Sequence, residues 1–104
     1  MRLEFHPEAA LELIETALHY EQQVPELGRR FEAEVRHVTN LLLDHPEMGQ
    51  QVDPDLRRII LPRFPFSLIY SVAADTLRIE AVAHQSRLPG YWKTRIDSPR
   101  MEKP

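Results

Sequence analysis

The sequence predicts a small α+β domain in which a helical hairpin covers one face of an antiparallel sheet. Apolar residues recur every three or four positions in the first half of the chain, as they do in amphipathic helices. In the second half they alternate with polar residues, as they do in half-buried strands. Because 104 residues suffice for only one core, we expect a single domain.

The chain begins with a predicted strand over residues 2–5, which ends before Pro7, a residue suited to the first turn of a helix. A first helix is predicted over residues 7–23, with its glutamates on a solvated outer face. Its apolar positions at helical spacing, which we expect to be buried, are Ala10, Leu13, Ile14, Ala17 and Leu18.

The second helix has the clearest periodicity in the chain. Its apolar stripe consists of Leu27, Phe31, Val35, Val38 and Leu42. Residues 44–55 are rich in proline, glycine and aspartate and are therefore predicted to form a loop. The two helices should pack as an antiparallel hairpin.

Three strands are predicted over residues 56–61, 66–73 and 76–84, with Ala74-Asp75 as a two-residue turn between the last two. This turn sets a register, which pairs Val72 with Leu77, Tyr70 with Ile79, Leu68 with Ala81 and Phe66 with Ala83. We expect the helices to cover this apolar face and to leave the opposite, mixed face open. The predicted order is thus β-α-α-β-β-β.

The formal charge of −3 conceals an uneven distribution. Residues 1–55 carry 12 acidic and 4 basic side chains, whereas residues 56–104 carry 4 acidic and 9 basic ones. An anionic partner should therefore meet the C-terminal half. The chain lacks cysteine, which excludes disulfides and thiol catalysis, and it lacks a long apolar run, so we expect a cytoplasmic protein without membrane contact.

Polar and aromatic side chains cluster where the last strand ends: His84, Ser86, Arg87, Tyr91, Trp92, Lys93 and Arg95. Arginine binds phosphate or carboxylate, tyrosine and histidine transfer protons, and exposed aromatic rings stack on bases. The cluster is thus compatible with RNA cleavage, with binding of a partner, or simply with closure of the core. The remaining histidines show no metal-ligand spacing, and we expect neither metal nor cofactor.

Three stretches of the chain together resemble the RelE/ParE superfamily of toxins from type II toxin–antitoxin modules: "ELGRRFEAEV" (26–35), "RRIILPRFPFSLIYSV" (57–72) and "IEAVAHQSRLPGYWKTR" (79–95). The resemblance implies a toxin domain over residues 1–96. Residues 97–104 contain two prolines and no apolar stripe, so we expect a flexible tail there. The resemblance also implies an antitoxin partner, which covers the toxin and folds on binding.

Members of this superfamily differ in their targets. RelE-like toxins cleave mRNA on the ribosome, whereas ParE-like toxins, known from plasmid stabilization systems, inhibit DNA gyrase and are not nucleases. For a nuclease, the resemblance assigns catalytic roles to Arg87, Tyr91 and Arg58, and the proton-transfer chemistry of histidine makes His84 a further candidate. However, Ser67 and Ile60 stand where nuclease members would carry an arginine and a lysine, which favours a ParE-like toxin.

On the ParE-like interpretation, the residues expected to contact the target are His84, Arg87, Tyr91, Trp92 and Arg95. Arg58, Arg63 and Arg78 are the candidates for antitoxin contact, because the basic half of the chain should attract an acidic segment. A ribosome-dependent endoribonuclease and an inactive relative that still binds its antitoxin remain as alternatives. Whether the chain is an enzyme, and whether it forms a homodimer or a hetero-oligomer with the antitoxin, is left open.

Overall fold

The computed structural model describes residues 1–95, and the predicted tail, residues 97–104, lies outside this part. The elements are β1 (Arg2–Phe5), α1 (Pro7–Gln23), α2 (Leu27–Asp44), β2 (Gln50–Asp53), β3 (Leu56–Ile60), β4 (Phe66–Ala73) and β5 (Thr76–His84). The α+β fold class and the order of the predicted elements are confirmed. None of the helices in residues 1–95 has the length and apolar composition needed to cross a membrane.

The strand β2 was not predicted, since its sequence falls in the segment assigned to a loop. It forms a short edge strand that pairs antiparallel with β3, with Gln50 opposite Arg58 and Gln51 opposite Arg57. Both glutamines are exposed. A polar edge strand has no apolar alternation, which explains why the sequence pattern did not indicate it.

The helices α1 and α2 form the predicted antiparallel hairpin and approach each other closely at Gly28. A Cβ atom at this position would collide with the backbone carbonyl of Ala17, so the first turn of α2 accommodates only glycine here. The carboxylate of Glu21 accepts hydrogen bonds from the N–H groups of Glu26 (2.8 Å) and Gly28 (3.0 Å). It thereby satisfies N–H groups that the first turn of a helix leaves without intrahelical partners.

The sheet has the strand order β1-β5-β4-β3-β2. Its central pairs are antiparallel, as predicted, but β1 runs parallel to β5, so the expectation of a wholly antiparallel sheet is wrong at this edge. Leu3 pairs with Leu77, and Phe5 with Ile79. The partner of this four-residue strand lies more than 70 positions away in the chain. The alternation of polar and apolar residues within β1 therefore does not indicate whether it runs parallel or antiparallel to that partner.

The core lies between the helical hairpin and one face of the sheet. The predicted stripe of α2 is confirmed, since Phe31, Val35, Val38 and Leu42 are buried. In α1 the prediction is only partly correct. Ala9 and Ala17 are buried, whereas Ile14 and Leu18 are 53% and 57% exposed, because the small alanines bring the other side of the helix against the sheet and α2.

The pairing of β4 with β5 follows the predicted register only near the turn. Tyr70 lies opposite Ile79, as expected, but Glu80 is an extra residue that forms a β-bulge. Beyond the bulge Leu68 pairs with Val82 instead of Ala81, and Phe66 with His84 instead of Ala83. Since a shift by one residue exchanges the two faces of a strand, Val82 joins the core and Ala81 faces the opposite side.

Candidate functional site

Among residues 1–95, no strand pairs with the outer edge of β5 in its C-terminal half. β1 pairs with β5 only as far as Ile79, and the backbone groups that follow need other partners. Two side chains supply them. The carboxylate of Glu12 in α1 accepts a hydrogen bond from the N–H of Val82 (2.9 Å), and Arg95 donates one to the carbonyl oxygen of Glu80 (3.2 Å).

Glu12 is the centre of a polar cluster that we call the Glu12 clasp: Glu12, Tyr91, Arg95 and the N–H of Val82. Besides Val82, Oε1 accepts from Nη1 of Arg95 (3.0 Å). Oε2 accepts from the hydroxyl of Tyr91 (2.8 Å) and from Nη2 of Arg95 (2.7 Å). Four donors occupy the lone pairs of the carboxylate, and the arginine binds it in bidentate fashion. The side chains of Glu12 and Arg95 are only 16% and 13% exposed.

The clasp fixes the protonation states of its members. Burial opposes ionisation of Glu12, but the hydrogen bonds from Arg95, Val82 and Tyr91 outweigh it and hold the pKa of this carboxyl below its usual range. Burial and the hydrogen bond to Glu12 raise the pKa of Tyr91 to about 12. The hydrogen bond to Glu12 also raises the pKa of Arg95. At neutral pH the cluster therefore contains a carboxylate, a phenol and a guanidinium.

Residues 85–95, which we call the C-terminal segment, fold back over the face of the sheet opposite the helices. Tyr91 and Trp92, whose ring centroids are 5.4 Å apart, pack against a small apolar cluster on this face. The cluster consists of Leu56, Ile69 and Ala81. The expectation of an open second face is thus wrong in part, because the C-terminal segment covers the middle of it.

Arg87 lies at the exposed surface of this segment. Its Cζ atom is 3.9 Å from the centroid of the Tyr91 ring, a cation–π contact. Arg87 also lines a cleft of about 250 Å³ on the same face of the sheet. The other polar residues of the lining are Arg58, Ser67, His84, Gln85 and Trp92. The described residues of its wall include two arginines and no carboxylate, so the cleft suits an anionic group.

His84 connects the cleft with the helical side of the sheet. Its ring packs edge-on against Phe66, with a centroid distance of 4.9 Å. Its Nδ1 accepts a hydrogen bond from the N–H of Ser86 (2.9 Å) and lies 2.8 Å from the Ser86 hydroxyl oxygen. Since Nδ1 is occupied in this way, Nε2 is the nitrogen available for a partner or for proton transfer.

A family model described as "ParE toxin of type II toxin-antitoxin system, parDE" matches residues 3–89. The chain belongs to this ParE toxin family. The resemblance to RelE/ParE toxins found in the sequence is thereby confirmed, and the protein is a toxin-family member of a type II system. No curated protein sequence matches the chain.

Solved structures show how widely this ParE-family fold is shared. The chain is similar to a structure titled "Chromosomal ParDE TA system from P. aeruginosa", with a TM-score of 0.71 and 23% identity over 81% of this chain and 95% of that one. It is also similar to the isolated RelE toxin of E. coli, with a TM-score of 0.62 and 19% identity over 93% and 97%. At these identities the likeness shows the fold alone.

The predicted target-contact residues of this ParE-family protein divide into two groups. His84, Arg87 and Trp92 meet at the cleft. Tyr91 and Arg95 instead direct their polar ends into the Glu12 clasp. Their role in target contact stays a prediction, but their geometry gives them a structural task, which is to hold the C-terminal segment in place.

The three predicted antitoxin contacts do not form one patch. Arg58 lines the cleft. Arg63 lies in the loop between β3 and β4, where its N–H donates to the carboxylate of Glu34 in α2 (2.9 Å). Arg78, on β5, lies with its Nε 3.8 Å from Oε1 of Glu80. If all three contact an antitoxin, it must wrap around more than one side of the toxin.

Glu12 is the functional residue that the sequence analysis missed. Its carboxylate was expected in solvent with the other glutamates of α1, and this was wrong. Its partners Val82, Tyr91 and Arg95 lie 70, 79 and 83 positions along the chain, so no local pattern reveals them. The only sequence signal is its position, three residues after the buried Ala9, at the border of the helix's buried face.

Glu80 is a second buried carboxylate with an unexpected environment. Its side chain is 4% exposed, and Oε2 accepts a hydrogen bond from the hydroxyl of Ser71 (2.8 Å). Oε1 has no hydrogen-bond partner among the described residues, and its nearest cation is Arg78. Within residues 1–95, histidine, aspartate and glutamate side chains form no group of three arranged to hold a metal ion. The expectation of no metal or cofactor stays a prediction.

Proposed function

We propose that this ParE-family chain is a toxin that inhibits DNA gyrase in the cytoplasm and contacts it through the cleft and the C-terminal segment. The composition of the cleft carries the proposal. Arg58 and Arg87 give it positive charge, Trp92 gives it an aromatic wall, and the ring of Tyr91 lies against Arg87. Arginine and aromatic residues at a concave surface are the side chains that most often dominate protein–protein binding energy.

The same cleft argues against the alternative function, ribosome-dependent mRNA cleavage. Ser67 and Ile60 line it at the positions where the resemblance to nucleases implies an arginine and a lysine. Each missing charge-stabilising group costs a nuclease roughly 10²–10³ in rate. The hydroxyl of Tyr91 is bound to Glu12, and its pKa of about 12 is far from that of a general acid or base at neutral pH.

We further propose that a cognate antitoxin covers the toxin at two kinds of surface. The first is an apolar stripe on α1 formed by Leu11, Ile14 and Leu18, which are 47%, 53% and 57% exposed. A helix of the antitoxin would bury this stripe with its own apolar face. The second is the set of arginines predicted for an acidic segment: Arg58, Arg63 and Arg78.

The test is a supercoiling assay with purified gyrase, relaxed plasmid and the purified toxin. Inhibition is expected for the wild-type chain, and Arg87→Ala should raise the half-inhibitory concentration about tenfold or more, as the loss of an interface arginine does. The matched control is Arg36→Ala, which removes an exposed arginine of α2 and should leave inhibition unchanged.

A parallel reaction with ribosomes and a labelled mRNA distinguishes the alternatives. Cleavage of the mRNA with undisturbed supercoiling would overturn the gyrase proposal and restore the nuclease interpretation. Absence of both activities, together with normal growth on induction, would identify an inactive relative. In that case co-purification with the antitoxin would still test the proposed partner surfaces, and Arg58→Glu combined with Arg78→Glu should weaken it.

A further inference from the structure

The C-terminal segment is held on the sheet by little apolar area. Within residues 1–95, Tyr91 and Trp92 pack on a buried cluster of only Leu56, Ile69 and Ala81, and both aromatics are themselves only half-buried. So small an apolar cluster does not by itself fix one conformation of an eleven-residue segment, because each ordered residue costs about 1–2 kcal/mol of backbone entropy. Another interaction must hold the segment.

The Glu12 clasp supplies that interaction. Three of its four hydrogen bonds run from residues of the C-terminal segment to one carboxylate on α1. The fourth comes from Val82, on the part of the β5 edge that β1 does not reach. One glutamate thus ties together α1, the edge of the sheet and the segment that follows it. Charge-assisted and bidentate hydrogen bonds of this kind are stronger and more directional than neutral ones.

A continuous chain of contacts leads from Glu12 to the exposed cation of the cleft. The hydroxyl of Tyr91 donates to Oε2 of Glu12, which fixes the ring, and the guanidinium of Arg87 lies 3.9 Å from the ring centroid. We propose that Glu12 is a positioning residue, which places Arg87 for contact with the toxin's target by holding Tyr91 and Arg95. This inference rests on the proposed role of the cleft in target contact, but not on the identity of the target.

The principal variant is Glu12→Gln. An amide accepts at one oxygen and cannot form the ionic pair with Arg95, so two donors lose their acceptor. Trp92 is the single tryptophan of the chain and reports the position of the C-terminal segment directly. In Glu12→Gln its emission should shift to longer wavelength, and its quenching by acrylamide should rise about twofold. Glu15→Gln, an exposed neighbour on the same helix, is the control and should change neither.

The functional readout is growth arrest after induction, which does not depend on which target the toxin acts on. The expected result is that Glu12→Gln needs roughly tenfold more toxin for the same arrest, while co-purification with the antitoxin through the α1 stripe is retained. A double-mutant cycle with Arg87→Ala tests whether Glu12 acts through Arg87. In the Arg87→Ala background the further loss of toxicity caused by Glu12→Gln should fall to less than about twofold.

The outcomes separate the inference from the proposed function. An unchanged Trp92 signal in Glu12→Gln overturns the clasp as the device that holds the segment. A changed signal with full toxicity, or additive effects in the double-mutant cycle, overturns its action on Arg87. Failure of the wild-type toxin to inhibit gyrase, with the toxicity results as expected, would overturn the gyrase proposal and leave the role of Glu12 supported.

Discussion

The two faces of the sheet are closed by different means. The face toward the helices is closed by a large apolar core, in which Phe31 and Tyr70 are fully buried. On the opposite face the buried apolar cluster of the described residues consists of only Leu56, Ile69 and Ala81, and the segment that covers it is attached through the carboxylate of Glu12. The comparison teaches that the core and the attachment of the C-terminal segment depend on different physical interactions, so we expect that the segment can be released without unfolding the core.

The largest expected effect is on the helical face. Phe31 contacts three aromatic rings, those of Tyr20, Phe64 and Phe66, with centroid distances of 5.6, 5.2 and 5.3 Å. Phe31→Ala should lower the free energy of unfolding by about 3–5 kcal/mol, because it removes a fully buried ring and leaves a cavity. Urea denaturation followed by far-UV circular dichroism measures this.

The matched substitution on the other face is Trp92→Ala. Since this ring is half-buried on a small cluster, the free energy of unfolding should fall by only about 1–2 kcal/mol. Equal costs for Phe31→Ala and Trp92→Ala would contradict the comparison and would mean that the C-terminal segment belongs to the main cooperative core.

This contrast also explains what the sequence could predict. The core residues of the helical face were largely predicted from the sequence. A long helix such as α2 repeats its apolar residues every turn, and in the central strands apolar and polar residues alternate. Phe31, Val35 and Leu42 were therefore assigned correctly to the core. The sequence indicated Tyr91 and Trp92 as candidate site residues. It did not indicate that the hydroxyl of Tyr91 is bound to Glu12.

The predictions that were wrong share a physical cause. They concern features that depend on residues far away in the chain or on local backbone geometry. The bulge at Glu80 shifts the register without altering the alternation of the strand. The role of Glu12 depends on donors 70 to 83 positions away. The exposed apolar stripe of α1 was predicted to lie in the core. When a helix has apolar residues on two sides, its sequence does not indicate which side is buried.

As the pH falls, the C-terminal segment should detach from its face of the sheet before the helical face unfolds. The hydrogen bonds of the clasp hold the pKa of Glu12 below its unfolded value of about 4.5, so its stabilising effect is complete above that pH and is lost as the pH falls through the lowered folded pKa. Trp92 emission should therefore shift to longer wavelength at a higher pH than the pH at which helical circular dichroism is lost.

The control for this titration is Glu12→Gln, which lacks the titrating group. Its Trp92 signal should already be shifted at neutral pH and should show no separate transition between neutral pH and the loss of helical signal. If emission and circular dichroism instead change together in the wild-type protein, the segment is released only by global unfolding, and the two faces are not independent.

The smallest effect is expected at the turn between β4 and β5. Ala74 has a φ of 53°, a left-handed conformation that costs an L-residue with a Cβ about 1–2 kcal/mol. Ala74→Gly relieves this strain but adds freedom to the unfolded chain, so the free energy of unfolding should rise by about 0.5 kcal/mol. A small upward shift in the urea midpoint, with an unchanged slope, is the expected result.

This substitution sharpens the comparison because of where it lies. The turn is at the opposite end of β5 from the C-terminal segment, about 25–30 Å away along the strand. If the segment is held by the Glu12 clasp rather than by the stability of the whole domain, Ala74→Gly must leave the emission of Trp92 and its acid transition where they are. A transition that moves to lower pH with the added stability would show that segment and core melt as one unit, and that the clasp adds no independent attachment.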